Sequence, residues 1–170
     1  MINIRDREER KNAFKTFTIG GTFIMCLWVL FPFLVHTYID PLFGLYHFRP
    51  MRWLGGCVCL AGYLLAVSCV LLFIKEGKGT PLPFAHPKRL VMSGPYKFVR
   101  NPMVLGTVFF LFGTALALGS SGILTYTFLL FLIMHFFVLV EEKSLGRRFG
   151  SAYAMYLRST PRWWPTLRRG

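Results

Sequence analysis

Three apolar stretches of the sequence contain no Asp, Glu, Lys or Arg, and their lengths limit what this chain can fold into. Residues 17–35 and 54–74 form runs of 19 and 21 residues, and residues 103–140 form a run of 38. A helix of about 20 apolar residues crosses the roughly 30 Å hydrocarbon core of a bilayer. The first two runs therefore predict one membrane crossing each.

The third run is too long for one crossing, because a single helix of this length would extend about 57 Å. The sequence Gly-Ser-Ser-Gly at residues 119–122 lies near its middle, and such clusters are typical of turns. We therefore expect a helical hairpin, with crossings at residues 102–118 and 122–140.

Together these runs predict an all-α integral membrane protein with four transmembrane helices, folded as a single domain over residues 1–170. The alternative is a soluble helical protein with a large core. Only 16% of the residues are charged, against about 25% in soluble domains, which disfavours that alternative.

The distribution of basic residues agrees with four crossings. If both termini are cytoplasmic, 18 of the 20 Lys and Arg residues lie on one side of the membrane, as expected for cytoplasmic loops. We expect the inner (cytoplasmic) membrane, and we attribute the net charge of +13 to topology and anionic lipid headgroups. The bilayer is thus an expected partner and nucleic acid is not, while the oligomeric state is left open.

Two further segments are expected at the cytoplasmic face. Residues 75–100 contain four prolines and three glycines; such irregular backbone is not tolerated against lipid, so this loop lies at the interface or lines a cavity, and whether it closes as a lid is open. Residues 145–156 carry apolar side chains at helical spacing. They predict a C-terminal amphipathic helix that lies against the membrane surface or the rest of the protein, ended by Pro161 and anchored at the headgroups by Trp163 and Trp164.

The sequence Arg-Asn-Pro at residues 100–102 has the pattern of a helix start. Asn101 would occupy the cap and Pro102 the first helical position. A helix N-terminus attracts anions, so the cation Arg100 beside it is unfavourable unless an anionic group binds between them. The alternative is that Arg100 only follows the bias of cytoplasmic loops towards positive charge.

The last crossing would return to the same side of the membrane at Glu141 and Glu142. The hairpin thus predicts a site for a zwitterion, with its carboxylate at the helix start and its ammonium at the glutamates. His135 precedes Glu142 by seven residues and shares its helix face. An imidazole inside a membrane span indicates a functional role. The alternative is a structural histidine whose hydrogen bonds are satisfied by a backbone or hydroxyl group. The four cysteines lie in apolar runs without metal-ligand spacing, so no metal site is expected.

Three blocks of sequence resemble the isoprenylcysteine carboxyl methyltransferase family of integral membrane methyltransferases, which is related to phospholipid N-methyltransferases. The blocks are GTPLPFAHPKRLV (79–91), GPYKFVRNPMVLG (94–106) and EEKSLGRRFGSAYAMYLRSTPRWWP (141–165), and the resemblance extends over roughly residues 77–165. The resemblance implies methyl transfer from S-adenosylmethionine to a lipidic or lipid-linked acceptor at the cytoplasmic face. The implied cofactor contacts are Leu90, Val91, Tyr96, Asn101, Pro102, Met103 and Glu141, and the candidate catalytic residues are Arg100, Glu142 and His135.

Two positions depart from the family pattern. Asn101 replaces the histidine of the family's Arg-His-Pro and can hydrogen-bond but cannot act as a base. Phe137 stands where the isoprenylcysteine branch has an arginine for a substrate carboxylate, so a lipid amine, hydroxyl or thiol is at least as good an acceptor. Two other functions stay open: a reductase of similar architecture that uses NADPH, as sterol reductases do, and a non-enzymatic membrane scaffold or permeation unit.

Overall fold

The computed structural model describes residue 18 and residues 20–42, 50–77 and 90–165, and the regular structure in these residues is entirely helical. The prediction of an all-α protein is therefore confirmed. A short 3₁₀ helix, Gly94–Lys97, leads towards the third long helix. The long helices are α1 (Gly20–Leu42), α2 (Arg52–Glu76), α3 (Pro102–Leu118) and α4 (Ser121–Ser159).

Helices α1, α2 and α4 are long and apolar enough to cross a membrane. Helix α3 has the predicted bounds, 102–118, but its 17 residues extend only about 25 Å, less than the roughly 30 Å of a bilayer core. Three crossings are thus supported by helix length and composition, and the fourth stays a prediction. Of the loop at residues 75–100, residues 78–89 lie outside the described part of the chain.

Helix α1 continues beyond the predicted end of the first crossing at Val35 and reaches Leu42. The polar residues His36 and Asp40 ended the apolar run in the sequence, yet they do not end the helix. Nδ1 of His36 lies 3.1 Å from Oδ2 of Asp40 one turn later, and the Asp40 carboxylate is buried against other polar groups. A polar residue inside a helix is tolerated when its hydrogen bonds are satisfied, which explains the longer helix.

The predicted turn between the third and fourth helices is present at Gly119 and Ser120. Gly119 ends α3 in the left-handed conformation, with a φ of 68°, which glycine adopts without steric cost. The Ser120 hydroxyl then caps α4 by accepting a hydrogen bond from the backbone N–H of Ile123 at 3.0 Å. Asp40 fastens α1 to this turn, since it accepts from the Ser120 hydroxyl at 2.5 Å and from the Gly122 N–H at 3.0 Å.

Helices α2 and α3 pack against each other through glycines spaced seven residues apart on each helix. A Cβ atom added at Gly55 would overlap the backbone of Ala117, and one added at Gly62 would overlap Phe110. A Cβ atom added at Gly106 or Gly113 on α3 would likewise overlap backbone atoms of α2. Small residues let transmembrane helices approach until their backbones touch, so these glycines fix α3 against α2 and position the start of α3.

Helix α4 is the longest element, and it does not end at the predicted limit of the last crossing, residue 140. It runs on through the two glutamates to Gly150, whose backbone is not helical (φ 51°, ψ −125°), and resumes as far as Ser159. Residues 145–156 are therefore helical as predicted, except at Gly150: residues 145–149 continue the helix of the last crossing, and residues 151–156 belong to a second helix after this break. Pro161 follows the end of the helix, as expected.

Candidate functional site

The start of α3 and the middle of α4 meet through an ion pair between Arg100 and Glu142. Nη1 of Arg100 donates to Oε1 of Glu142 at 2.7 Å, and the two side chains are only 13% and 12% exposed. The α3–α4 hairpin therefore brings the cation and the carboxylate to the same end of the protein. The two groups contact each other directly, whereas the sequence suggested that a ligand would lie between them.

The C-terminal segment returns to this same end after the break at Gly150. The hydroxyl of Tyr156 donates to the carbonyl oxygen of Tyr96 at 2.8 Å, and the carbonyl oxygen of Pro161 accepts from the Arg100 N–H at 2.9 Å. Both contacts join residues about 60 positions apart in the chain. The segment therefore packs against the loop that precedes α3 and does not extend away along a membrane surface.

Arg162 is a site residue that the sequence analysis missed. Its Nη2 donates to Oε2 of Glu142 at 2.6 Å and its Nε donates to Oε1 at 3.1 Å, the two-pronged geometry that a guanidinium favours. These hydrogen bonds raise the pKa of Arg162, which stays charged. We call Arg100, Glu142 and Arg162 the arginine–glutamate cluster; it carries one net positive charge. No local sequence pattern indicated Arg162, because it returns to this end only through the chain reversal after Gly150.

Two buried hydrogen-bond donors beside the cluster have no partner in the described part of the structure. They are Nε of Arg100 and Nδ2 of Asn101. Asn101 precedes α3 at the cap position, but its side chain makes no capping hydrogen bond, so the capping role predicted for that side chain is wrong. A buried donor without a partner costs about 1–3 kcal/mol. An anionic oxygen bound at this place would satisfy both donors.

The predicted cofactor contacts on the loop before α3 form an apolar cluster with α2. Val91 and Tyr96 are buried against Cys69, and Met103 packs on the same cluster. Burial raises the pKa of Tyr96, so its phenol stays neutral. Leu90 is half-buried at the edge of this segment. These residues form an apolar wall next to Arg100 and Asn101.

The remaining predicted residues differ in their exposure. Pro102 is fully buried at the first turn of α3, where its ring shapes the backbone and offers no donor. Glu141 is exposed on α4, one residue before the half-buried Glu142. The two glutamates therefore differ in environment although they are adjacent in the sequence.

His135 lies on α4 about 10 Å from Glu142 along the helix axis, at roughly 1.5 Å per residue. The indole N–H of Trp163 donates to its Nδ1 at 3.2 Å. The imidazole is therefore satisfied by a side chain from the returning segment, and not by the backbone or hydroxyl group considered from the sequence. Trp163 is half-buried in this contact, whereas Trp164 is exposed. Anchoring of the tail in the headgroups by these two residues stays a prediction.

An open apolar groove of about 490 Å³ lies between α3 and α4. Phe131 connects this groove to His135 and Trp163, with ring centroids 6.3 and 5.2 Å apart respectively. Groove, imidazole and arginine–glutamate cluster therefore follow one another along α4. The groove residues include Val108, Phe112, Leu124, Phe128 and Phe131.

Side chains that could bind a metal ion do not form a cluster in the part of the chain that the structure describes. No three His, Cys, Asp or Glu side chains come close enough there to hold a metal ion. All four cysteines lie in the described residues, and all are free.

The comparison with known families identifies one match. The family described as Phospholipid methyltransferase matches residues 50–152, more than half of the chain. No curated protein and no solved structure matches the chain. The matched residues include Arg100, Asn101, His135 and Glu142, and they end before Arg162 and Trp163.

Proposed function

The chain belongs to the phospholipid methyltransferase family, and we propose that it transfers a methyl group from S-adenosylmethionine to a lipidic acceptor at the cytoplasmic face of the membrane. The acceptor class that best fits this family is a phospholipid with an amine headgroup. An isoprenylcysteine acceptor has less support, because Phe137 replaces the arginine that would meet its carboxylate. The whole chain would act as one membrane-embedded domain.

The observation that carries this proposal is the pair of unsatisfied donors at the start of α3. Nε of Arg100 and Nδ2 of Asn101 are buried without partners in the described structure, beside a cluster with one net positive charge. The methionine end of the cofactor carries a carboxylate, which accepts several hydrogen bonds and is attracted to positive charge. The residues present therefore fit that end of the cofactor.

The two glutamates would have different roles. Glu142 is bound by two guanidiniums, so we assign it to holding Arg100 in place. The exposed Glu141 is the better partner for the ammonium group of the cofactor. Leu90, Val91, Tyr96, Pro102 and Met103 would shape an apolar wall near the same end.

When bound, S-adenosylmethionine supplies an electrophilic methyl group on a positively charged sulfur. An unprotonated acceptor atom would bond to the methyl carbon as the bond from that carbon to sulfur breaks, which releases S-adenosylhomocysteine, and the proton lost by the acceptor would pass to water. The protein has to hold the acceptor in line with that methyl group, since such a displacement depends mainly on orientation. The groove between α3 and α4 offers a path for the apolar tail of a lipid, from the hydrocarbon core towards His135. Helix α3 would form the fourth crossing, and both termini would lie in the cytoplasm.

Binding measurements test this proposal against the two alternative functions. Purified protein in maltoside detergent is titrated in a calorimeter with S-adenosylmethionine, S-adenosylhomocysteine and NADPH. We expect micromolar binding of the first two and none of the third. Binding of NADPH alone would favour a reductase, and binding of none of them by folded protein would favour a scaffold.

A further inference from the structure

The hydrogen bond between Trp163 and His135 determines which nitrogen of the imidazole carries its proton. An indole N–H can only donate, and it points at Nδ1 of His135 from 3.2 Å. Nδ1 is therefore the unprotonated nitrogen, and the neutral ring carries its proton on Nε2. Trp163 also lies beside the ring, with centroids 5.7 Å apart and planes tilted by 34°, so this one residue contacts the imidazole through both its N–H and its ring.

This arrangement limits what His135 can do chemically. Its one basic lone pair, on Nδ1, already accepts from Trp163, so the imidazole can take a proton only if that hydrogen bond breaks. Nε2–H remains as a donor. The residue is therefore built to donate a hydrogen bond to a ligand oxygen, and it is poorly suited to deprotonating a ligand.

The position of His135 indicates which ligand oxygen is available. Towards one end of α4 lies the apolar groove, which shares Phe131 with the His135 contact. Towards the other end, about 10 Å away, lies the arginine–glutamate cluster with its net positive charge. A lipid with its tail in the groove would place the first polar group of its head beside His135. The positive cluster beyond favours an anionic oxygen there.

We propose that His135 orients the methyl acceptor by donating a hydrogen bond from Nε2 to a phosphate oxygen of its headgroup, and that Trp163 is a positioning residue that holds His135 in the donating tautomer. This inference rests on the proposed function and extends it to Trp163, which lies beyond the part of the chain that the family match covers. The headgroup amine would then extend from the phosphate towards the arginine–glutamate cluster, where the cofactor would bind.

Nuclear magnetic resonance of histidine labelled with ¹⁵N tests the tautomer without any enzymatic activity. The chain contains four histidines, and the signal of His135 is the one lost in His135→Gln. In maltoside micelles at neutral pH we expect the His135 proton on Nε2, and a mixture of tautomers in Trp163→Phe, which keeps a ring but removes the donor. A proton on Nδ1 in the unmodified protein would overturn the proposal.

Two lipids test the role of the phosphate in the same sample. Lysophosphatidylethanolamine carries a phosphate, and a monoacylglycerol with the same acyl chain does not. We expect the first to shift the His135 Nε2–H resonance and the second to leave it unchanged. Equal shifts would assign the contact to the ester shared by both lipids, and no shift would remove His135 from the acceptor site. Either result contradicts the proposal.

Methyl transfer to phosphatidylethanolamine vesicles separates a donor from a base. His135→Gln retains an N–H donor and should keep kcat/KM within about threefold, whereas His135→Met should lower it about tenfold or more, as expected for a lost hydrogen bond to a charged group. Equal losses in both variants would indicate a base and overturn the proposal. Calorimetry with S-adenosylmethionine tests the proposed function separately. If the protein binds the cofactor but fails the tautomer test, only the inference about His135 is contradicted, and the proposed function stands.

Discussion

Arg162 lies 20 residues after Glu142 in the chain, yet its guanidinium contacts both carboxylate oxygens of Glu142, at 2.6 and 3.1 Å. Arg100 contacts the same carboxylate from the start of α3 at 2.7 Å. One glutamate thus joins three parts of the chain: the loop before α3, helix α4 and the returning C-terminal segment. Because Glu142 makes these contacts whereas the adjacent Glu141 is exposed, substitutions at neighbouring positions are expected to change different properties of the protein.

Arg162→Met should lower the stability of the protein, because Glu142 would lose two charge-assisted hydrogen bonds in a largely buried position. We expect a loss of about 1–3 kcal/mol, measured by thermal unfolding in detergent. The matched control is Arg158→Met, which removes a cation from an exposed position. A decrease of the same size in both variants would mean that the contact with Glu142 contributes nothing specific.

Glu141→Gln and Glu142→Gln should affect different properties. The exposed Glu141 is assigned to the cofactor ammonium, so its replacement should weaken S-adenosylmethionine binding about tenfold, equivalent to about 1.4 kcal/mol, with an unchanged melting temperature. Glu142→Gln removes the anion that two guanidiniums contact. Its main effect should therefore be a lower melting temperature. Calorimetry and thermal unfolding read the two effects, with the exposed Lys143→Gln as control. Unchanged cofactor affinity in folded Glu141→Gln would remove Glu141 from the site.

Asn101→Leu should have opposite effects on cofactor binding and on stability. Its Nδ2 is buried and has no partner in the described structure, and replacing an unsatisfied buried polar group by an apolar one of similar shape is neutral or stabilising. The melting temperature without ligand should therefore stay the same or rise. Binding of S-adenosylmethionine should weaken about tenfold, equivalent to about 1.4 kcal/mol. A clear loss of stability would show that Asn101 serves the fold instead.

Gly62→Ala and Gly56→Ala test the close approach of α2 and α3. A Cβ at Gly62 would overlap the backbone of Phe110, whereas one at Gly56 would meet nothing within 4 Å. Alanine favours a helix over glycine by about 1 kcal/mol, so Gly56→Ala should raise the melting temperature slightly. Gly62→Ala should lower it, because the helices would have to separate. Similar melting temperatures would contradict this packing.

The crossings could be predicted because they depend on local composition. Runs of apolar residues located α1, α2 and α4, and the Gly-Ser cluster at residues 119–122 located the hairpin, since a glycine in the left-handed conformation and a serine cap are features of adjacent residues. Pro102 gave the start of α3 for the same reason. The ends of α1 and α4 were predicted too early, because Asp40 and Glu142 are polar residues whose partners lie elsewhere in the fold.

The candidate site was predictable only in part. The positions of Arg100 and Glu142 at the same side of a helical hairpin follow from counting crossings, so the sequence indicated that the two could meet. Their direct contact depends on how α3 and α4 pack against each other. The contacts of Arg162 and Trp163 depend on the break at Gly150, after which the chain returns towards α4. No local pattern encodes such a reversal, because its free energy comes from the contacts that it creates far away in the chain.

By itself, then, the sequence determined that this protein is a helical membrane protein whose conspicuous polar residues gather at one end of a hairpin. The physical reason is the free-energy cost of placing a charged side chain in hydrocarbon, which acts on each residue separately. The tertiary structure alone decided which of those residues touch. Within the described residues, Glu142 is shared by two arginines, Arg100 and Asn101 have buried donors without partners, and Trp163 donates to His135. Hydrogen bonds require positions within a few tenths of an ångström, and only the packed chain defines positions that closely.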